Sequence, residues 1–335
     1  MGPGTQIDRG SARIVVDRRI GSGAMGVVYR GWMFLAPTGP RAAEPPMAVA
    51  LKQLRPRASL TPEIRRLFLN EAAALSSLQH PNVVRFHDLF EWTPPPATSK
   101  TTPLAAVARA SLDPGGAVQR AGRLTLAMEL VEGDGLDVVI ARNLARSRLA
   151  GGAGPRGLAP ARAFSYFEQL LGALGAAHAL GIVHRDVKPS NVMIRRDGVV
   201  KLADFGIALL HGEGVDPADT SHAPGTGPYM SPEQVRGEAL DGRSDLYAAA
   251  IVLYEMLAGR PPFPAEGRTE LLVRMDQVEA APPPIGDLLA DAPPALDDVL
   301  ARALAKRPED RWPTAVALGD AVARGLGIDP TRITS

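Results

Sequence analysis

The sequence predicts an α+β fold in which strands come first and helices follow. Three observations carry that expectation. Runs rich in β-branched and aromatic residues recur at 13–20, 27–29, 47–52, 83–92 and 124–130, separated by Gly and Pro breaks. Helical patterns dominate later: Phe164, Phe167, Leu170, Leu171, Leu174 and Ala177 line one side of 161–180, an apolar run starts at Leu246, and a last helix spans 314–326. The 335 residues suffice for one large or two medium domains, and 45% hydrophobic with 22% charged residues is ordinary for a globular protein.

Charge and composition remove several functions. Lys and Arg number 37 against 36 Asp and Glu, a net charge of +1, so no bulk attraction to nucleic acid or anionic membrane is expected. With no cysteine there are no disulfides, thiolate metal sites or Cys nucleophile. The start, Met1-Gly2-Pro3-Gly4-Thr5-Gln6, lacks the apolar core of a signal peptide. The run 246–259 is interrupted by Tyr247, Tyr254 and Glu255 and reads as a buried helix rather than a bilayer span. A cytoplasmic protein without membrane insertion is expected, and the Ala, Gly, Pro and Arg bias points to a GC-rich bacterial source.

Taken in order, residues 1–12 read as a loose leader before the first strand. Gly21-Ser22-Gly23-Ala24-Met25-Gly26 follows, a Gly-x-Gly-x-x-Gly spacing that dinucleotide-binding proteins also use. Those proteins continue into a helix, whereas Val27-Val28-Tyr29 reads as a strand, so the segment is a plain hairpin or a flap able to lay backbone N–H groups over phosphates. Residues 34–46, with Pro37, Pro40, Pro45 and Pro46, form a long loop. The strand 47–52 ends in one charge, Lys52. A helix begins at the Thr61 cap with Pro62 at its first position, and Glu71 lies among its apolar residues. Residues 93–122 and 141–160 read as insertions, the first flexible and the second Arg-rich, where a solvated face is favoured over a docking patch.

The most informative stretch is His184-Arg185-Asp186-Val187-Lys188-Pro189-Ser190-Asn191, followed by Asp204-Phe205-Gly206. Two short apolar runs, Val192-Met193-Ile194 and 199–203, with the turn Arg196-Asp197-Gly198 between them, form a hairpin that sets Asn191 and Asp204 at adjacent ends. Carboxylate and amide oxygens gathered in this way suit Mg²⁺, which binds through one or two protein ligands plus substrate phosphates.

These motifs resemble those of eukaryotic-type (Hanks-type) serine/threonine protein kinases, over about residues 13–327 and in the family's order. The resemblance implies a bilobal fold. A lobe of five antiparallel strands and one helix, 13–131, would precede a mostly helical lobe, 132–327, with 328–335 as a tail, and nucleotide would bind between the lobes. It implies ATP and Mg²⁺, with Mn²⁺ as an alternative, and protein substrates. Asp186 would accept the hydroxyl proton, Lys188 would steady the transferring phosphoryl group, and Asn191 and Asp204 would hold the metal. Lys52 would pair with Glu71. Ile20, Gly21, Ser22, Gly23 and Gly26 would cover the nucleotide, Val28, Ala50 and Met193 would wall the adenine slot, Met128 would be the gatekeeper, and Glu129 and Val131 would belong to the hinge.

The same resemblance assigns the last part of the chain. Gly225-Thr226-Gly227-Pro228-Tyr229-Met230-Ser231-Pro232-Glu233 resembles the end of an activation segment, with Ser-Pro-Glu where the family has Ala-Pro-Glu. Thr226 would touch Asp186, which marks a Ser/Thr kinase. Asp245 would anchor the catalytic-loop backbone, and Glu233 would pair with Arg311. Arg185, beside the base, needs an anion, and phosphate on Thr220 or Ser221 would supply one, with two copies of the chain pairing transiently for autophosphorylation in trans. Two alternatives are less favoured: a pseudokinase scaffold, because Lys52, Glu71, Asp186, Asn191 and Asp204 are all present, and a small-molecule kinase, because of the Thr226 region. No sensor domain or membrane helix follows the helical lobe, so a soluble, recruited enzyme is expected.

Overall fold

The computed structural model describes residues 1–10, 12–22, 26–35, 45–54, 76–92, 123–149, 157–205, 227–289 and 292–328. The helix expected to carry Glu71, the insertion at 93–122, Gly23, Gly206, Thr220, Ser221 and Thr226 lie outside them. The chain divides into two compact units, one of Met1–Ser59 with Phe86–Leu130 and one of Leu60–Arg85 with Val131–Ser335.

The first unit is built on one antiparallel sheet. Its strands are β1 (Gln6–Asp8), β2 (Ala12–Ser22), β3 (Gly26–Leu35), β4 (Met47–Leu54), β5 (Phe86–Trp92) and β6 (Arg123–Glu129), in the spatial order β1-β2-β3-β4-β6-β5. Side chains alternate across a strand, and the alternation is clear in β4. Val49 and Leu51 join Ile7, Ile14, Val16, Tyr29, Met33, Phe90 and Ala127 in the core cluster. Ala50 and Lys52 are thereby turned to the other face, where Lys52 lies opposite Val28 and Ala50 opposite Met128.

The first residues are not a loose leader. β1 pairs with β2, Gly4 N donates to Val16 O at 2.8 Å, and Val16 N donates to Thr5 O at 2.9 Å. Ile7 is buried in the core cluster. One apolar side chain between two polar ones is enough to dock an edge strand, and the sheet has six strands rather than the five expected.

The second unit is mostly helical. After β7 (Gly133–Gly135) come α1 (Leu136–Leu149) and α2 (Pro160–His178). Residues 141–149, expected within an insertion, are the continuation of α1. Its arginines belong to that helix: Arg146 and Arg148 fall in the last turn, where they meet the negative end of the helix dipole. The chain returns through Gly157, where an added Cβ would overlap the Leu257 carbonyl oxygen, so only glycine fits that approach.

The strands β8 (Val192–Arg195) and β9 (Val200–Leu202) form the hairpin, turned at Gly198 with φ 85°. Then follow α3 (Pro232–Arg236), α4 (Gly242–Ala258), α5 (Glu270–Glu279), α6 (Pro294–Ala303) and α7 (Ala315–Gly325). α4 is apolar nearly all round and is buried over almost its whole length, with Asp241 accepting from Arg243 N as its N-cap and Gly259, φ 75°, closing it. Among the described residues no helix is long and apolar enough to cross a membrane.

Candidate active site

The hairpin β8–β9 and the loop before it assemble the site within the second unit. Asn82 O accepts from Leu202 N at 2.7 Å, and Ala203 N donates to Asn191 O at 2.8 Å. These bonds fix Asn191 and Asp204 at neighbouring ends of the hairpin. Arg185 and Asp204, each at φ 67°, are the non-glycine residues with left-handed backbone among those described. Such a conformation costs about 1–2 kcal/mol per residue and persists only where surrounding contacts hold it.

For Arg185 those contacts converge on a buried carboxylate. Asp245, at the start of α4, accepts at Oδ1 from Arg185 N and at Oδ2 from His184 N, each at 2.8 Å. His178 Nε2, at the end of α2, reaches the same Oδ2 at 2.8 Å. The Arg185 carbonyl is held from the other side by Gln234 Nε2 at 2.7 Å. Gln234 also closes the capping box of α3 with Ser231, so one side chain fixes a helix start and a left-handed loop residue together. His184 is fully buried, its ring 4.5 Å from that of Phe205. Its Nδ1 accepts from Asp186 N at 3.3 Å, which makes Nε2 the protonated nitrogen and the donor to Ala203 O at 2.9 Å.

Asp186 is buried, and among the described residues Lys188 and Asn191 donate to its carboxylate. Lys188 Nζ lies 2.9 Å from Oδ1 and 2.8 Å from Oδ2, and Asn191 Nδ2 donates to Oδ2 at 2.9 Å and to the Asp186 carbonyl at 2.7 Å. The group is thus held as an acceptor, oriented by an ammonium and an amide. Asn191 spends its Nδ2 on Asp186 and keeps Oδ1 as an oxygen donor, with the Asp204 carboxylate across the hairpin end. Among the described residues no cluster of three or more His, Cys, Asp or Glu could hold a metal by itself. A hard cation taken by Asn191 and Asp204 would complete its shell from phosphate and water oxygens, which is how Mg²⁺ usually binds.

The other residues expected at the site divide between the units. Ile20, Gly21, Ser22, Val28, Ala50, Lys52, Met128 and Glu129 belong to the first and Val131 and Met193 to the second. Lys52 is buried, and Gly21, opposite Val28, shares the face of Ala50, Lys52 and Met128. Glu71 and Thr226, the expected partners of Lys52 and Asp186, lie outside the described residues.

The pair of Glu233 and Arg311 is present. Arg311 Nη1 and Nη2 meet Oε1 and Oε2 of Glu233, each at 2.7 Å, and both side chains are buried. Ser244 Oγ donates to Oε1 at 2.6 Å. Burial pushes the Glu233 carboxyl up, but the Arg311 and Ser244 bonds outweigh it and hold the group below its ordinary value. Arg311 also donates to the carbonyls of Ala305, Arg243 and Lys306 and lies over the Tyr247 ring at 4.7 Å.

A second acidic side chain went unread in the sequence. Glu255 on α4 accepts from Tyr229 OH at 2.6 Å, and burial pushes its carboxyl up to about 6, the Tyr229 bond opposing and Asp137 adding to the rise. Because the folded value exceeds the ordinary 4.5, this group's contribution to stability is complete below about pH 4.5 and is lost as pH rises through about 6. At neutral pH its ionised form costs about 2 kcal/mol. Glu255→Gln is therefore expected to melt higher than the parent at pH 7.5 and to lose that advantage at pH 5, as read by calorimetry. A lower melting temperature at pH 7.5 contradicts this.

The chain matches the protein kinase domain family over residues 14–321 and belongs to that family. Among its relatives, the serine/threonine-protein kinase Pkn1 of Myxococcus xanthus is 36% identical over 321 residues, 95% of this chain and 38% of Pkn1. The serine/threonine-protein kinase PknB of Mycolicibacterium smegmatis is 36% identical over 271 residues, 81% of this chain and 37% of PknB. The chain thus spans well under half the length of these two relatives. The crystal structure of the Mycobacterium tuberculosis PknI kinase domain matches with a TM-score of 0.64 at 26% identity, covering 97% of this chain and 99% of that one.

Proposed function

We propose that this chain is an ATP-dependent protein serine/threonine kinase that moves the γ-phosphoryl group to Ser and Thr hydroxyls. The observation that carries the reading is the buried Asp186 carboxylate, gripped by Lys188 and Asn191 beside the strained Asp204. Family membership and the serine/threonine kinases among the relatives support it.

In this reading the acceptor hydroxyl donates its hydrogen bond to Asp186. Its oxygen bonds to the γ-phosphorus as the bond to the ADP oxygen breaks, and the proton passes to the Asp186 carboxylate. Lys188, already on that carboxylate, also reaches the transferring group. A Mg²⁺ ion at Asn191 and Asp204, with Mn²⁺ as an alternative, would neutralise charge on the phosphates. Lys52, with Glu71 as its partner, holds phosphate oxygens. Ile20, Gly21, Ser22, Gly23 and Gly26 would cover the nucleotide, Val28, Ala50 and Met193 would wall its adenine, and Met128, Glu129 and Val131 would take its edge. Thr226 would steady Asp186, and phosphate on Thr220 or Ser221 would answer Arg185 after two copies meet.

The test is transfer of labelled phosphate from Mg-ATP to the chain itself, to myelin basic protein and to small-molecule alcohols. Phosphoserine or phosphothreonine in the protein samples is expected, together with label on the peptide holding Thr220 and Ser221. Label on the small molecules alone would remove the protein-kinase reading. Label on protein with that peptide unmodified at full activity would remove the control by Arg185.

A further inference from the structure

Gln277, in the last turn of α5, is completely buried, yet none of its side-chain bonds serves its own helix. Its Nε2 donates to Pro228 O at 2.6 Å and to Gly227 O at 3.3 Å, while its Oε1 accepts from Tyr247 OH at 2.8 Å. Both N–H groups and the oxygen are used, which fixes the amide's orientation without ambiguity. The partners surround it from three elements. Tyr247 sits on α4 beneath Arg311, and Lys306 Nζ donates to the carbonyls of Gln277 itself, at 2.9 Å, and of Asp276, at 3.3 Å. α5 lies in van der Waals reach of the turn, since a Cβ on Gly227 would meet Glu270 Cγ at 3.5 Å.

We propose that Gln277 is a positioning residue for the acceptor side of phosphoryl transfer, its amide setting the Gly227-Pro228-Tyr229 turn that directly follows Thr226. The inference rests on the kinase reading above. A core Gln that only tied neighbouring helices together would need no more than the Tyr247 bond to α4. This one spends both donors on two consecutive carbonyls of one turn, which leaves that turn a single orientation against α5. An apolar side chain of equal size would leave the Pro228 carbonyl buried without its donor and the Gly227 carbonyl with the Met230 amide alone, and the turn would rotate to find other donors.

The test uses Gln277→Leu and the milder Tyr247→Phe, which removes only the bond that orients the amide. In Gln277→Leu the Met230 amide, which closes the turn on Gly227 O, should exchange with solvent about tenfold faster while the β8–β9 amides are unchanged. KM for a protein acceptor should rise about tenfold with KM for ATP within about twofold of the parent, and Tyr247→Phe should move both readouts about threefold in the same direction. Unchanged Met230 exchange, or an unchanged acceptor KM in an active enzyme, overturns the assignment. So does an equal rise in both KM values. If Gln277→Leu does not fold, Tyr247→Phe decides alone. If the parent chain transfers no phosphate, the kinase reading fails while the exchange comparison still decides whether Gln277 sets the turn.

Discussion

Asp186→Asn is expected to lower phosphoryl transfer to a protein acceptor by about a thousandfold, within the 10²–10⁴ that a positioned base contributes. The substitution keeps shape and volume but replaces one acceptor oxygen with an NH₂. In the parent, Lys188 straddles both carboxylate oxygens and Asn191 donates to Oδ2, so any orientation of the new amide sets a donor against Lys188, Asn191 or both. The acceptor hydroxyl loses its proton destination, and Lys188 loses the anion that aims it. Binding of ATP should change little, about threefold at most, because Asp186 is assigned to the hydroxyl and not to the nucleotide. The check is a turnover assay beside an ATP titration and a melting curve. Turnover near that of the parent, in a variant that melts normally, would remove Asp186 from the chemistry. Loss of ATP binding along with turnover would mean that the loop, and not the base, had been broken.

The residues of that loop were legible because the chemistry is local: Asp186, Lys188 and Asn191 lie within six positions, and one hairpin brings Asp204 beside them. Strands and helices with regular apolar spacing were legible too, as with Pro160–His178, seen in sequence as 161–180. What escaped is what only the folded chain creates. The apolar run from Val83 suggests one strand reaching Trp92, but Val83 bridges to Leu202 and β5 begins at Phe86. The Arg-rich 141–149 looked like an insertion because a Gly-rich stretch follows, yet the helix was already under way from Leu136. Gln234 and Gln277 carry no local signal, since an amide becomes informative only when its partners, 49 or 50 positions away, are known. The pair of Glu233 and Arg311, 78 positions apart, was reachable only through the family resemblance.

That pair sets the second large effect: Arg311→Met should destabilise the protein by about 3–5 kcal/mol, the range for stranding one member of a buried ion pair. In a unit of this size the loss corresponds to a drop of roughly 10 °C in melting temperature. The single change leaves Glu233 buried with Ser244 as its remaining side-chain donor and withdraws the cation from the Tyr247 ring. Adding Glu233→Gln should restore part of the loss, because a neutral amide in that place costs less than an unpaired carboxylate, and the double variant would then be more stable than the single one. The dependence on pH separates this account from simple loss of packing. In the parent, Glu233 has its carboxyl held down, so its contribution is present above about pH 4.5 and is lost only as pH falls through the lower folded value. In Arg311→Met burial acts with little opposition, the carboxyl rises above its ordinary value, and stability should increase as pH is lowered from 7 toward 5. Melting curves that fall in parallel for parent and variant across that range would show that the guanidinium acts by volume alone. Opposite slopes would place the charge of Glu233 at the root of the effect. Because α3 also carries Gln234, whose amide holds the carbonyl beside Asp186, the same variant should lose activity at temperatures where it is still folded.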